Sequence, residues 1–488
     1  MSLVLRRARL AGRDRPVDVL LKHGIVVGID RDEHGEPLDG TAELDLGGRF
    51  LTPGLWDEHV HFDQLALTSR RVDVSRATSA AQTAQLMRSS LPPSPGLPLV
   101  GFGFRDGLWP DATSTALLDL PGGMPAVVIS GDIHSCWLND AAARKFGVTV
   151  DASGMLREDA AFAIIRSAQV ISADLLDTWV AECAEDAARR GVVGVVDFEM
   201  GENLERWSRR FASGFRALRV DAAVYEPQLD AAIAAGHRTG EILAGSDGRL
   251  RVGPFKVITD GSLNTRTALC VHPYPGVTGA HARGQQLVSF DDLERLLRRA
   301  TEGGFTPAVH AIGDAANHAA LDAFERIGCG GRIEHAQLLI DTDIARFAHL
   351  GVTASMQPEQ AMDDRDVADR YWQGRTGRAF ALRALLDSGA VLALGSDAPV
   401  APLDPWVTAA AAIGRAKDGR DPWHPEQRIT NTEALAASAR GRTRVSPGDV
   451  ADLVVTDLDP VSAAHDELRT MPVAATIIAG YFTYNTLG

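Results

Sequence analysis

Short apolar runs alternate with amphipathic stretches through the middle of the chain. Eight runs have the length and the β-branched content of buried strands, and they span residues 58–62, 192–198, 219–225, 252–258, 306–310, 332–335, 351–356 and 391–395. Helical periodicity separates several of them, at 290–302, 315–327 and 342–350. This alternation is typical of parallel βα units, and eight units predict a (β/α)8 TIM barrel of the α/β class.

The two ends of the chain have a different pattern. Residues 1–50 hold short β-like runs separated by charges, glycine and proline, and strand-like runs return near the C-terminus. We therefore predict a small β-sandwich domain built from both termini, over residues 1–50 plus 441–488. The barrel is then assigned to residues 51–64 plus 191–440.

A long segment separates the first predicted barrel strand, which ends at residue 62, from the second, which begins at residue 192. A βα loop and its helix need only about 20 to 30 residues. Residues 65–190 are therefore predicted to form an inserted subdomain. Because an insertion after a barrel strand emerges on the face that holds the active site in such folds, we expect it to cap the pocket.

The composition narrows the class of protein. The 488 residues carry a formal net charge of −15, and 45% of them are hydrophobic. The apolar fraction supports a packed globular core, and the negative charge disfavours nucleic acid and anionic membrane surfaces as partners. The four cysteines form no CxxC pair, which favours reduced thiols over disulfides or a thiolate zinc site.

The N-terminal segment MSLVLRRARLAGRDRP carries charges where a signal peptide would need an unbroken apolar stretch. No stretch of the sequence has the length and apolarity of a membrane-spanning helix. We therefore expect a soluble, cytoplasmic protein whose partner is a small-molecule substrate. A homodimer is common for such barrels, and the sequence leaves the oligomeric state open.

Nitrogen and oxygen donors occur where several of the predicted strands end. His59 and His61 stand two residues apart, so alternation along a strand directs both toward one face. Taken alone, this pair also fits two polar residues at a strand end. Four other predicted strands carry a comparable donor near their ends: Lys256, His310, His335 and Asp397. Because the carboxyl ends of barrel strands meet on one face, the set predicts a metal site, with Zn²⁺ favoured and Mn²⁺ or Fe²⁺ as alternatives.

Six sequence motifs together resemble the amidohydrolase superfamily. They are LTPGLWDEHVH at 51–61, GDIHSCWLN at 131–139, KVITDGS at 256–262, VHAIGD at 309–314, RIEHAQ at 332–337 and LGSDAP at 394–399. Within the superfamily, the chain resembles the amidohydrolase family 3 branch, which includes hydrolases similar to N-substituted formamide deformylase. The resemblance covers nearly the whole chain, and it implies a metal centre at the mouth of the barrel.

The resemblance also implies a role for each donor. Four imidazoles would be metal ligands: those of His59, His61, His310 and His335. Asp397 would be both a ligand and the catalytic proton shuttle. Lys256 would be a carboxylated lysine that bridges two Zn²⁺ ions, since a free ammonium would be repelled by them. With a single ion, Lys256 would instead stay a neutral amine or pair with Asp260.

By the same resemblance, the protein would hydrolyse a non-peptide C–N bond of amide, formamide or carbamate type in a small molecule, using metal-activated water. Four residues are expected to bind the substrate: Asp132, His134 and Asn139 in the insertion, and Gln357 after the seventh strand. Glu359 and Asp363, which also follow the seventh strand, are similar candidates. Arg332 and Glu334 alternate with the ligand direction, and we expect them to form a structural ion pair.

Other functions stay open at this point. Deaminases of the same superfamily that act on nucleobases typically carry a glutamate three residues after the fifth-strand histidine. Here Gly313 stands at that position, and Asp314 lies one residue further. A metal-free, non-catalytic scaffold would have lost ligands that this chain keeps. A metal-dependent isomerase or decarboxylase would use the same donors. The sequence does not identify the substrate, because many chemistries share this scaffold.

Overall fold

The structure is a computed structural model, and it describes residues 2–30, 42–90, 92, 94–106, 109–131, 135–168 and 170–487. The chain divides into two compact units. The first comprises Met1–Phe62 and Ala181–Gly488, and the second comprises Asp63–Val180. The first unit contains the barrel and the strands of the chain termini, and the second falls within the predicted insertion, except for its first two residues.

Eight parallel strands form the barrel, and each pairs with the next one along the chain. They are Leu55–Val60, Val192–Asp197, Arg219–Tyr225, Leu250–Ile258, Pro307–Ala311, Gly331–His335, Val352–Met356 and Leu392–Leu394. Each overlaps one of the eight predicted strands, so the predicted fold class is confirmed. The first and last strands come together just beyond the eighth, where Asp397 N donates to His59 O at 2.7 Å.

The barrel strands are mostly apolar because both of their faces are covered. Every position of the second strand, VVGVVD, is buried, as parallel strands with covered faces require. The helices around the barrel are Asn203–Ala212, Glu226–Ala234, Phe290–Glu302, Asp314–Ile327, Asp341–Leu350, Pro358–Tyr371, Leu382–Asp387, Pro405–Gly414 and Asn431–Ser438. Thr430 and Glu433 form a capping box at the start of the last of these helices, which satisfies two amides that the helix leaves unpaired.

The two termini pair with each other in one sheet. From the N-terminus come Ser2–Leu10, Pro16–Lys22, Ile25–Asp30, Ala42–Asp45 and Phe50–Pro53, and from the C-terminus Leu453–Thr456, Val473–Ile478 and Tyr481–Asn485, with a short helix at His465–Arg469. Phe50–Pro53 pairs antiparallel with Leu453–Thr456. This pairing joins the two sets edge to edge in one hydrogen-bonded sheet. The arrangement of that sheet as a sandwich stays a prediction.

The insertion has its own sheet and core. Its strands are Val72–Asp73, Leu99–Phe104, Ala126–Ser130, Ser135–Leu138 and Met155–Arg157, and the accompanying helices are Phe62–Thr68, Ala80–Arg88, Asp140–Phe146, Glu158–Ala168 and Ala173–Arg189. Leu99, Phe104 and Trp137 are buried in a cluster of the insertion's own residues. The expectation that the insertion caps the pocket stays a prediction.

Within the described part of the chain, no helix is both long enough and apolar enough to cross a membrane.

Gly395 allows the first and eighth barrel strands to approach each other. A Cβ atom at this position would lie 2.6 Å from the backbone nitrogen of His59 and 2.9 Å from Oδ1 of Asp57. Both distances are well inside the normal separation of non-bonded heavy atoms. A side chain here would therefore push apart the two strands that carry His59 and Asp397.

We expect Gly395→Ala to lower the free energy of unfolding by about 1–3 kcal/mol, because the added methyl group meets backbone that cannot easily move. Urea unfolding followed by circular dichroism measures the effect. Gly377→Ala is the matched control, since a Cβ atom there would meet nothing within 4 Å. Equal unfolding midpoints for the two variants would show that Gly395 is not needed for this approach.

Candidate metal centre

The six predicted donors lie near the carboxyl ends of barrel strands or just after them. These residues are His59, His61, Lys256, His310, His335 and Asp397. Parallel strands of a closed barrel bring their carboxyl ends to one face. Residues separated by more than three hundred positions of sequence are therefore close in space.

Four imidazoles form a continuous cluster. The ring centroids of His59 and His335 are 4.9 Å apart, and those of His310 and His335 are 4.4 Å apart. The ring of His61 lies 5.6 Å from that of His59. The structure thus brings together the histidines of the first, fifth and sixth strands, as predicted.

The carboxylate of Asp397 adjoins this cluster. Its Oδ1 atom lies 3.4 Å from Nε2 of His61 and 3.6 Å from Nε2 of His59. One potential ligand atom from each of His59, His335 and Asp397 lies within 4.8 Å of the other two. The three side chains can therefore share one ion.

The amine of Lys256 is buried beside the histidines. Its Nζ atom lies 4.1 Å from the centroid of the Phe198 ring, which is itself 4.5 Å from the ring of His59. Burial lowers the pKa of Lys256 to about 8, although the charges of Glu334 and Asp397 oppose this change. A larger fraction of this amine is therefore neutral near pH 7 than of an ordinary lysine.

Asp260 directs its carboxylate to backbone amides. It accepts hydrogen bonds from the amides of Leu269 at 2.8 Å, Ile312 at 3.1 Å and Gly313 at 2.9 Å. These bonds hold the loops that follow the fourth and fifth strands. The pairing of Lys256 with Asp260, one alternative for a single ion, is not among the contacts of the described residues.

Burial keeps the imidazoles neutral. It lowers the pKa of His61 to about 4 and that of His310 to about 3, and the charge of Lys256 acts in the same direction. Burial likewise places the pKa of His59 and of His335 well below the ordinary value. Because a metal ion binds the neutral ring, all four histidines are in the form that ligation requires at neutral pH.

Several polar atoms of the cluster lack a hydrogen-bond partner among the described residues: Nδ1 of His61, Nε2 of His310, Nδ1 of His335 and Nζ of Lys256. Leaving such atoms buried and unpaired is costly. A divalent cation would satisfy ring nitrogens of this kind, and a set of nitrogen and carboxylate donors suits Zn²⁺. The residues present therefore fit a metal centre.

A carboxylate orients the His59 ring by contacting its Nδ1 atom. Oε2 of Glu334 lies 2.7 Å from Nδ1 of His59, and both side chains are fully buried. This contact leaves Nε2 of His59 directed toward Asp397. Carboxylates that accept from the second ring nitrogen of a histidine fix its tautomer and raise its basicity as a ligand.

Glu334 belongs to a buried ionic network. Arg332 pairs with Glu334, as expected from the sequence, and its Nη1 also donates to Oε2 of Glu58 at 2.9 Å. Arg440 in turn donates to Oε1 of Glu58 at 2.8 Å. Arg332 and Lys256 outweigh the effect of burial and lower the pKa of Glu334, so this carboxylate is charged.

The backbone is unusual at two of the donors. His335 has φ of 75° and Asp397 has φ of 57°, both in the left-handed region that favours glycine. Such conformations cost free energy and cluster at functional sites. They turn the chain at the ends of the sixth and eighth strands, where these side chains meet His59.

Comparison with known proteins identifies the family. A model of the Amidohydrolase family matches residues 42–484. This chain belongs to the amidohydrolase family.

Three proteins illustrate the similarity. The Arabidopsis thaliana protein LONG AFTER FAR-RED 3 is 27% identical over 501 residues, covering 91% of this chain and 83% of that protein. The N-substituted formamide deformylase of Arthrobacter pascens is 24% identical over 519 residues, covering 95% and 93%. The crystal structure of an uncharacterized metal-dependent hydrolase from Pyrococcus horikoshii OT3 superposes with a TM-score of 0.80 at 24% identity, covering 96% and 99%, which shows a shared fold.

Family membership together with the buried His and Asp cluster supports a metal-dependent hydrolase that uses a divalent ion.

In this amidohydrolase, Gln357 lies at the end of the seventh strand, as predicted. Its side chain is fully buried, and neither its Nε2 nor its Oε1 has a hydrogen-bond partner among the described residues. A buried carboxamide without partners is rare in a folded protein. A substrate group would supply the missing partners, so the expectation that Gln357 binds substrate stays a prediction.

Asn139 has a structural task in the insertion. Its Oδ1 accepts from the amides of Ala126 and Ala142, at 3.0 and 2.8 Å, and its Nδ2 donates to the carbonyl of Met124 at 2.8 Å. It thereby caps the helix Asp140–Phe146. These bonds occupy the amide that was expected to bind substrate. Asp132 and His134 lie outside the described residues.

Glu359 also has a structural role, although the sequence made it a candidate for the site. Its carboxylate accepts from Arg469 at 3.1 and 3.0 Å and lies 3.0 Å from Nζ of Lys417. The carboxylate of Glu359 is therefore paired with two cations. Gln360, the next residue, was not predicted, yet its side chain contacts Asp397.

Proposed function

We propose that this amidohydrolase uses Zn²⁺ to hydrolyse a non-peptide C–N bond of amide, formamide or carbamate type in a small molecule. The observation that carries the proposal is the buried cluster in which ligand atoms of His59, His335 and Asp397 lie within 4.8 Å of one another. The unpaired ring nitrogens beside it support the same conclusion.

The histidines would hold the metal together with Asp397. When bound, a divalent cation lowers the pKa of a water molecule to about 7 and polarises a carbonyl oxygen. Asp397 would accept a proton from the attacking water and pass it to the departing nitrogen, because its carboxylate lies at the edge of the cluster. Gln357 would hydrogen bond the substrate.

Carboxylation of Lys256 would complete a site for two ions. The neutral amine attacks CO₂, forms an N–C bond and releases one proton, which leaves an anionic carbamate on Nζ. The buried position of Nζ near four imidazoles, without a hydrogen-bond partner among the described residues, supports this modification. A carbamate oxygen is a better ligand for Zn²⁺ than an ammonium group, which cannot bind a cation.

A combined metal and substrate assay tests the proposal. Emission spectroscopy measures the zinc content of the purified protein, and N-formyl amines, N-acyl amines and cyclic amides are then screened with the zinc-loaded enzyme. We expect bound zinc and transfer of ¹⁸O from labelled water into the released acid. A metal-free protein of unchanged stability would favour a scaffold, and release of ammonia from a nucleobase would favour a deaminase.

A further inference from the structure

Two carboxamides connect the loop after His335 to Asp397. Gln337 donates from Nε2 to Oε1 of Gln360 at 3.0 Å, and Gln360 donates from Nε2 to Oδ2 of Asp397 at 2.8 Å. All three side chains of this chain of bonds are buried: Gln337, Gln360 and Asp397. This carboxamide relay, Gln337–Gln360–Asp397, joins segments that follow the sixth, seventh and eighth barrel strands.

The chemistry of the relay defines the direction of each hydrogen bond. A carboxylate accepts hydrogen bonds, so Gln360 must present its Nε2 to Asp397 and its Oε1 to Gln337. Reversing the amide of Gln360 would place an oxygen against the carboxylate and two NH₂ groups against each other. The side chain of Gln360 is therefore held in one orientation from both sides.

The relay distinguishes the two oxygens of Asp397. Oδ2 accepts from Gln360, whereas Oδ1 is the oxygen that lies 3.4 Å from Nε2 of His61 and 3.6 Å from Nε2 of His59. Turning the plane of the carboxylate away from this orientation would break the bond to Gln360. Gln360 thus fixes the plane of the carboxylate, so that one of its two equivalent oxygens faces the imidazoles.

We propose that Gln360 is a positioning residue, which fixes the carboxylate plane of Asp397 so that one oxygen faces the metal centre, and that Gln337 supports it. This inference rests on the proposed metal centre and extends it to two residues beyond the ligand set. Hydrogen-bonding partners behind metal ligands typically change metal affinity by about 10-fold to 100-fold when they are removed.

Zinc affinity, measured by competition with a chromophoric chelator, tests the proposal. Gln360→Met keeps the length of the side chain but removes the donor, and we expect it to weaken Zn²⁺ binding by about 10-fold. Gln360→Asn keeps the amide on a chain one methylene shorter, and we expect a similar loss. Gln337→Met should have a smaller effect, because the bond from Gln360 to Asp397 remains.

A double-mutant cycle separates positioning from a general structural role. In an Asp397→Ala background, Gln360→Met should cause no further loss of zinc affinity, since the group on which it acts is gone. A loss of the same size in both backgrounds, unchanged affinity in Gln360→Met, or failure of both Gln360 variants to fold would overturn the proposal. If the wild-type protein binds no zinc, both this inference and the proposed function fail; if only the variants behave unexpectedly, the proposed function stands.

Discussion

Replacing Asp397 with asparagine is expected to reduce turnover by at least about 100-fold while the protein still binds zinc, as befits removal of a positioned proton-transfer group. Asparagine keeps an oxygen that can contact the ion, but it cannot accept a proton from water. Burial raises the pKa of Asp397 to about 6, and the hydrogen bond from Gln360 opposes this change. The wild-type carboxylate can take up a proton, a capacity that the asparagine variant lacks.

Steady-state kinetics on the best substrate of the screen measure the effect, and zinc content at saturating Zn²⁺ is determined on the same samples. Asp343→Asn is the matched control, because Asp343 is also buried but bonds to His318 and Arg346. Full activity in Asp397→Asn would remove this residue from the proton-transfer step.

Replacing His335 with glutamine is expected to weaken zinc binding by more than 100-fold and to abolish activity with it. His335 lies at the centre of the cluster, since its ring adjoins both His59 and His310. The loss should exceed the roughly 10-fold to 100-fold typical of residues behind the ligands. Glutamine is close in size but is a poorer ligand than a neutral imidazole.

The same competition assay provides the measurement, and His318→Gln serves as the control. The His318 side chain is 48% exposed, and it pairs with the buried carboxylate of Asp343. We expect this control to keep wild-type zinc affinity. If His335→Gln also keeps it, the metal centre does not include His335.

The proposed metal centre adjoins a buried network of ion pairs. Glu334 contacts His59, and Arg332 ties Glu334 to Glu58 and donates to Oγ of Ser355 at 3.0 Å. Breaking a buried pair in such a network usually costs about 3–5 kcal/mol, because it leaves an uncompensated charge. The ligand geometry of His59 is therefore coupled to the stability of the barrel.

The barrel could be predicted from the sequence because its strands are short apolar runs separated by helical segments. This pattern is local, so it can be recognised without knowledge of the tertiary structure. The donors could be predicted for a related reason: a parallel barrel brings the ends of its strands to one face, so His59, His310 and Asp397 had to be near each other. The expected pair of Arg332 and Glu334 followed from strand alternation and was confirmed.

Contacts between distant segments depended on the tertiary structure. Asn139 was expected at the substrate, yet it caps a helix, because the same amide can serve either role and only its neighbours decide. Gln360 and Asp397 are 37 positions apart, and His59 and Glu334 are 275 apart. The sequence determines which side chains can donate or accept a hydrogen bond. The partner of each side chain depends on how the strands pair and where the chain turns, and no local sequence pattern encodes that arrangement.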